Sequence, residues 1–328
     1  MQQNETTPTG AHPSAQRPTR ERVGLIVTGP DATAAVSTIV AAEAAGVRQI
    51  WMLQRTPEPD TLTLFAAAAV QTSSVRLGTA VVPIFPRHPL ALAQQALSLG
   101  DLAPGRLRLG IGPSHRPIIE GVYGIPMTAP LEHLREYVSV LRAALWEGTV
   151  DYQGRFYTVK TQLPRTPHTP ILISALRTRA FQLAGEVADG AISWVCPVPY
   201  LLEQALPALR AGAAKSGRPV PPLVAHIPVA LSQDRQAVLA AARRQLGRYG
   251  QLPFYAHMFA DAGFPVSADG TVSDALIDSL VVSGDEAAIA ARLTDLLARG
   301  LDELLVMPVP VADAQDEHAR LMRLIGQL

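Results

Sequence analysis

The sequence predicts a parallel α/β barrel of the TIM (β/α)8 class, with insertions after its fourth and seventh strands. Three observations carry this. Eight short apolar runs read as buried strands. Seven of them pass directly into a helical pattern, the alternation that builds a parallel sheet. No disordered seam divides residues 21–328, so a single domain is expected there. A doubly wound open sheet is the runner-up, and it requires fewer strands per domain and a linker.

Residues 1–20 are rich in Pro, Thr, Gln and Ser and read as a disordered tail without the apolar stretch of a secretory leader. VGLIVT (23–28) is the first strand, and TAAVSTIVAAEAAGV is a helix stopped by Gly46. QIWML (49–53) is the second strand, LTLFAAAAVQTS its helix, and VRLGTAVVPIF (75–85) the third strand. His88 reads as a cap, with Pro89 in the first turn of the next helix. LRLGIG (107–112) is the fourth strand. The polar, Pro-containing segment of about 17 residues after it exceeds an ordinary βα loop. PLEHLREYVSVLRAALWEG then sets Leu131, Leu134, Val138, Leu141 and Leu145 at helical spacing, leaving Glu132 and Glu136 on a solvated face. TVDYQGRFYTV reads as a hairpin turning at Gln153 and Gly154. PILISAL (170–176), GAISWV (190–195), PLVAHIPVALS (222–232) and ELLVMPV (303–309) complete the strands. Residues 234–283 form a mostly helical insertion, whose Tyr249, Phe254 and Tyr255 either roof a cavity or pack its helices.

Composition narrows the function. Apolar residues make up 48% of the chain, enough for a large core. The 28 basic and 28 acidic side chains balance and form no basic stripe, so nucleic acid is not the expected partner. No run reaches transmembrane length. Cys196 is the only cysteine, which excludes an intrachain disulfide and a cysteine zinc site and suits a reducing cytoplasm. The sequence holds no Walker-type phosphate loop, no H-E-x-x-H and no G-x-S-x-G. Its only lysines, Lys160 and Lys215, lie in the hairpin and near a helix end, away from any Schiff-base position.

In a TIM barrel the strand C-termini share one face, where active sites form. The fourth strand ends in GIGPSH, which sets Gly112, Pro113, Ser114 and His115 at that rim. A glycine there permits close backbone approach, and a histidine exchanges protons near neutral pH. Trp51, Trp146 and Trp194 read as core or pocket wall.

LGTAVVPIFPRHPLALAQQALSLGDLAPGRLRLGIGPSH (77–115), LRAALWEGTVDYQGRFYTV (141–159) and LISALRTRAFQLAGEVADGAISW (172–194) together resemble the luciferase-like monooxygenase superfamily, over nearly all of residues 21–310. YGQLPFYAHMF (249–259) is similar to its deazaflavin-type branch. The resemblance implies a TIM-barrel oxidoreductase that binds coenzyme F420 or, alternatively, FMN. It implies a non-prolyl cis peptide at Ala80–Val81, with Thr79, Ala80 and Val81 forming a wall behind the cofactor ring. It sets Gln54 against the ring's pyrimidine edge, where relatives carry an acidic residue, and Arg55 where they carry histidine. Gly112, Pro113 and Ser114 match the loop along the ribityl-phosphate chain, and His115 replaces a glutamate beside the ring. Ala175, Leu176, Arg177 and Thr178 match the turn over the phosphate, where a common pattern has glycine and proline in place of Arg177 and Thr178. Arg177 or Arg179 then either pairs with the phosphate or blocks it. The implied activity is hydride transfer from reduced F420 to an activated alkene or imine, with His115 as proton donor. The rivals are an FMN-dependent monooxygenase and a barrel that has lost its cofactor. The implied state is a cytoplasmic homodimer acting on a small molecule, with neither nucleic acid nor membrane as partner.

Overall fold

The computed structural model describes residues 17–328. Its strands are β1 (Val23–Ile26), β2 (Gln49–Met52), β3 (Arg76–Thr79), β4 (Val82–Pro83), β5 (Leu107–Gly112), β6 (Thr149–Gln153), β7 (Thr158–Gln162), β8 (Ile171–Ser174), β9 (Gly190–Ile192), β10 (Leu223–Ala230), β11 (Val282–Ser283) and β12 (Glu303–Pro308). Parallel pairing runs β12-β1-β2-β3-β5-β8-β9-β10, and β10 pairs β12 to close the barrel. All eight predicted barrel strands are present in order. The insertion after β5 carries the helix Arg116–Gly121, and that after β10 carries three helices, Arg235–Leu246, Pro253–Asp261 and Asp274–Leu280. The hairpin β6–β7 stands apart as its own two-stranded sheet.

The tail expected over 1–20 lies outside the described residues through position 16. Thr19–Arg22 is a short helix that leads into β1. Among the described residues no helix is long and apolar enough to cross a membrane.

Register explains how the barrel interior fills. Trp51 is opposite Gly78 on β3 and Ile26 on β1, and in parallel strands such pairs share a face. Trp51 is fully buried. A Cβ at Gly78 would overlap its indole, so glycine there is a condition of fitting the ring. Below the indole lies a polar layer. Arg108 donates to both carboxylate oxygens of Glu303 (2.5 and 3.2 Å) and to Gln49 Oε1 (2.7 Å), and its guanidinium sits 5.0 Å from the Trp51 ring centre. Gln49 Nε2 and Arg76 Nη2 each donate to the Glu21 carbonyl at 2.6 Å, so the helix Thr19–Arg22 closes the barrel floor. Burial raises the Glu303 carboxyl, but Arg108, Arg76 and Gln49 together hold it below the ordinary range.

One expectation is corrected outside the barrel. Glu136 is not on a solvated face. It is buried, and its carboxylate accepts the N–H groups of Arg155, Phe156 and Tyr157, fastening the β6–β7 turn to the helix Pro130–Arg142. A helical surface pattern leaves room for this, because the hairpin folds back over that face. Glu132 does remain exposed, paired with Arg155.

Candidate active site

The mouth of the barrel is built where β3 loses register with β5. Gly78 pairs with Arg108 and Val82 with Ile111, so Thr79, Ala80 and Val81 face only Leu109 and Gly110. This one-residue bulge displaces the strand at its C-terminal end. The Ala80–Val81 peptide within it is cis and not prolyl. Thr79 is fully buried, and its hydroxyl donates to the Gly110 carbonyl (2.7 Å), which anchors the bulge. Gly112 has a different role from the one its position suggests. A Cβ there would overlap Ser174 Oγ and press on Val81 Cγ2 at 3.0 Å. The missing side chain makes room for the bulge and for β8, not for open space.

After Gly112 the chain passes Pro113 and turns at Ser114 in the left-handed region (φ 61°). His115 then caps the helix Arg116–Gly121, its carbonyl accepting from Ile118 and Ile119. Its imidazole faces the insertion after β10, with ring centres at 5.8 Å to Tyr255 and 6.3 Å to Tyr249. Burial lowers its pKa, and the positive charge of Arg248 lowers it further. At neutral pH the ring is therefore mainly uncharged and ready to exchange a proton.

Tyr249 joins this histidine to the interior. Its hydroxyl accepts from Trp194 Nε1 (2.7 Å), and Arg248 lies 5.3 Å over its ring. Trp194 follows β9 and stacks on His226 of β10, ring centres 3.8 Å apart. His226 is completely buried, and burial pulls its pKa down to about 3. Its Nδ1 accepts the Val195 N–H (3.2 Å), which fixes the neutral Nε2–H tautomer and leaves Nε2 3.4 Å from Met307 Sδ. That bond holds Val195 at φ 51°, a left-handed backbone unusual for a β-branched residue. Trp194, Tyr249 and Met307 border a cavity of about 370 Å³, with Ile26, Leu53 and Arg248 among its other walls. This volume suits a small organic ligand.

The remaining expected residues divide. Gln54 lies at the end of β2, but its Oε1 accepts the Thr61 N–H (2.8 Å) and caps a helix, leaving its NH2 for any ligand. Arg55 borders the cavity and pairs with Glu58. His88 is a helix cap as predicted, accepting the Leu90 N–H. Ala175 is buried at the end of β8, and the Leu176 carbonyl accepts from the Tyr200 hydroxyl (3.2 Å). Arg177 is held at two points by Asp261 of the insertion (3.0 and 3.1 Å). The Thr178 N–H faces the Tyr200 oxygen. Arg179 is exposed and has no ion-pair partner among the described residues. Two arginines at a helix start form an anion-binding end once Asp261 yields. A bulged wall at Ala80–Val81 and two arginines at the β8 turn are features that a tricyclic cofactor with a phosphate tail would use.

Sequence reading passed over His226, Arg248 and Met307. A lone histidine inside PLVAHIPVALS was the available signal, since a polar residue in a fully apolar strand needs a partner. Phe254, expected either to roof a cavity or to pack the insertion's helices, is 55% exposed, and Trp146 packs on His168 outside the barrel.

The sequence profile of the luciferase-like monooxygenases matches residues 9–303. An F420-dependent glucose-6-phosphate dehydrogenase of Nocardia farcinica is 28% identical over 274 residues, covering 78% of this chain and 80% of its own. Two solved structures share the fold. One is the coenzyme F420-dependent tetrahydromethanopterin reductase of Methanopyrus kandleri, with TM-score 0.74, 21% identity and coverage of 93% and 97%. The other is the oxygenating constituent of 3,6-diketocamphane monooxygenase of Pseudomonas putida in complex with FMN, with TM-score 0.70, 16% identity and coverage of 93% and 96%.

Proposed function

Because the chain belongs to the luciferase-like monooxygenase family of oxidoreductases, we propose that it is a coenzyme F420-dependent reductase acting on an unsaturated small organic molecule. The observation that carries this reading is His115 just beyond the C-terminal end of β5, facing Tyr249, which itself borders an aromatic-walled cavity. F420 is preferred to FMN because the sequence relative at 28% identity is F420-dependent, whereas the FMN complex shares only the fold.

Ala80 and Val81 would back the cofactor ring, and Gln54 would donate to its edge from the NH2 not used by Thr61. Pro113 and Ser114 would border the chain that leads to the phosphate. Arg177 and Arg179 would hold that phosphate, with Ala175, Leu176 and Thr178 shaping the turn. Reduced F420, when bound, supplies a hydride. Trp194 and Tyr249 would shield the cavity, and the protonated His115 would deliver the proton that completes the reduction. In the reverse direction the neutral ring would take the proton. The same reading makes the protein a cytoplasmic homodimer, and light scattering that returns a monomer mass at micromolar concentration removes that part.

Titration of the purified protein with F420 and with FMN, followed by cofactor fluorescence, tests the assignment. Saturable F420 binding at least tenfold tighter than FMN is expected. Preference for FMN overturns it in favour of a monooxygenase, and binding of neither overturns it in favour of a non-catalytic barrel.

A further inference from the structure

The cavity bordered by Trp194 and Tyr249 has an uneven charge. Arg248 borders it, and among the described residues no aspartate or glutamate does. Arg55, the other arginine at its wall, is already matched by Glu58. Arg248 has no carboxylate partner among the described residues and rests on the face of Tyr249. On the preceding helix Arg243 and Arg235 are matched by Asp274 and Asp278, whereas Arg244, exposed on the same helix, has no ion pair among the described residues and lies outside the cavity. Arg248 is exposed, so water solvates it in the free protein, and it is the cation at this aromatic mouth that no acid neutralises. His318 adds a second unmet polar group: its Nε2 is buried without a hydrogen-bond partner and its side chain borders the same cavity. Burial holds that imidazole toward its neutral form, so it offers a hydrogen bond without a charge.

A neutral hydrophobic ligand would displace water from the Arg248 guanidinium without replacing it and would leave His318 Nε2 unbonded. An aromatic ring carrying a carboxylate satisfies them together. The ring fits against Trp194, Tyr249 and Met307, and the carboxylate meets the guanidinium in a charge-assisted pair. We propose that this cavity selects small aromatic carboxylates, bound through Arg248, as the substrate class. The proposal rests on the reductase reading only for the word substrate. The site itself is a statement about the protein without cofactor.

Calorimetric titration of the apoprotein with 4-hydroxybenzoate and with its uncharged amide, 4-hydroxybenzamide, tests it. A second arm repeats both with the protein saturated in oxidised F420. The acid should bind about tenfold more tightly than the amide in at least one arm. Arg248→Gln should abolish that difference while leaving the amide unchanged, and Arg248→Lys should restore part of it. Equal binding of acid and amide, a preference that survives Arg248→Gln, or no binding in either arm overturns the proposal. Failure of F420 to bind, with the acid preference intact in the apoprotein, overturns the reductase reading and leaves the anion site standing.

Discussion

The two ends of one barrel are finished in opposite ways. At the floor, every charge met in the interior is answered: Arg108 by Glu303 and Gln49, Arg76 and Gln49 by Glu21. At the mouth, polar groups are left short of partners: Arg248 without an acid, His318 Nε2 without a bond, and His115 held neutral beside a cation. The floor's charges are paired within the fold, although Arg48 Nε, Arg76 Nε and Trp51 Nε1 stay buried without a hydrogen bond, whereas the mouth carries Arg248 without an acid beside a cavity. Polarity within a barrel does not mark function by itself, whereas unmet polarity at the strand C-termini does.

Four experiments separate the ends. Glu303→Leu leaves the Arg108 guanidinium buried without its carboxylate and should cost about 3–5 kcal/mol of stability, read by urea denaturation. A loss under 1 kcal/mol would mean the floor is not a structural plug. His226 lies between the ends, and its sign follows from a lowered pKa. Between about 6.5, the unfolded value, and about 3, the folded one, the unfolded chain binds the extra proton. Stability from this group is therefore present at neutral pH and drains as pH falls, by ~1.4 kcal/mol per unit. The stability gap between wild type and His226→Gln should shrink on acidification, and a constant gap would show that His226 does not titrate on unfolding. His115→Ala should reduce turnover roughly 10²-fold with cofactor affinity nearly intact. In the wild type, reduction should speed up as pH drops toward a midpoint below the ordinary histidine value, because the donor is the imidazolium. That limb should vanish in the variant, and an unchanged profile removes His115 from proton transfer. Smallest is the β8 turn: Asp261→Asn should tighten phosphate-bearing cofactor by several-fold and Arg177→Ala should weaken it. The reverse order would mean that Arg177 blocks the phosphate.

Periodicity and turn residues made the barrel readable, because each strand ends at a glycine, proline or polar cluster and each helix repeats its apolar face. The mouth was only partly readable. GIGPSH announced a rim histidine because glycine, proline and a polar pair interrupt an apolar run. Its partners come from the insertion more than a hundred residues later, and no local pattern links His115 to Tyr249 and Tyr255. Glu136 was misread for the same reason: helical spacing gives the face of a residue but not what folds over it. Arg177 stood out as a departure from a familiar turn, yet its partner Asp261 is visible only once the insertion is in place.

That Arg177–Asp261 pair bears on how the protein responds to ionic strength. A free arginine that captures a phosphate forms a new ion pair, so added salt weakens the capture in proportion to the attraction gained. On the proposed phosphate site, an arriving phosphate would take the place of a carboxylate already on the same guanidinium. One pair is exchanged for another, and screening acts on both sides of the exchange. Salt loosens the resident pair as it loosens the incoming one. The turn is therefore buffered: its hold on a charged tail varies less between dilute and concentrated electrolyte than a bare arginine's would. Under that proposal, Asp261 would lower the affinity at low salt and, by the same act, keep it nearly level across the range.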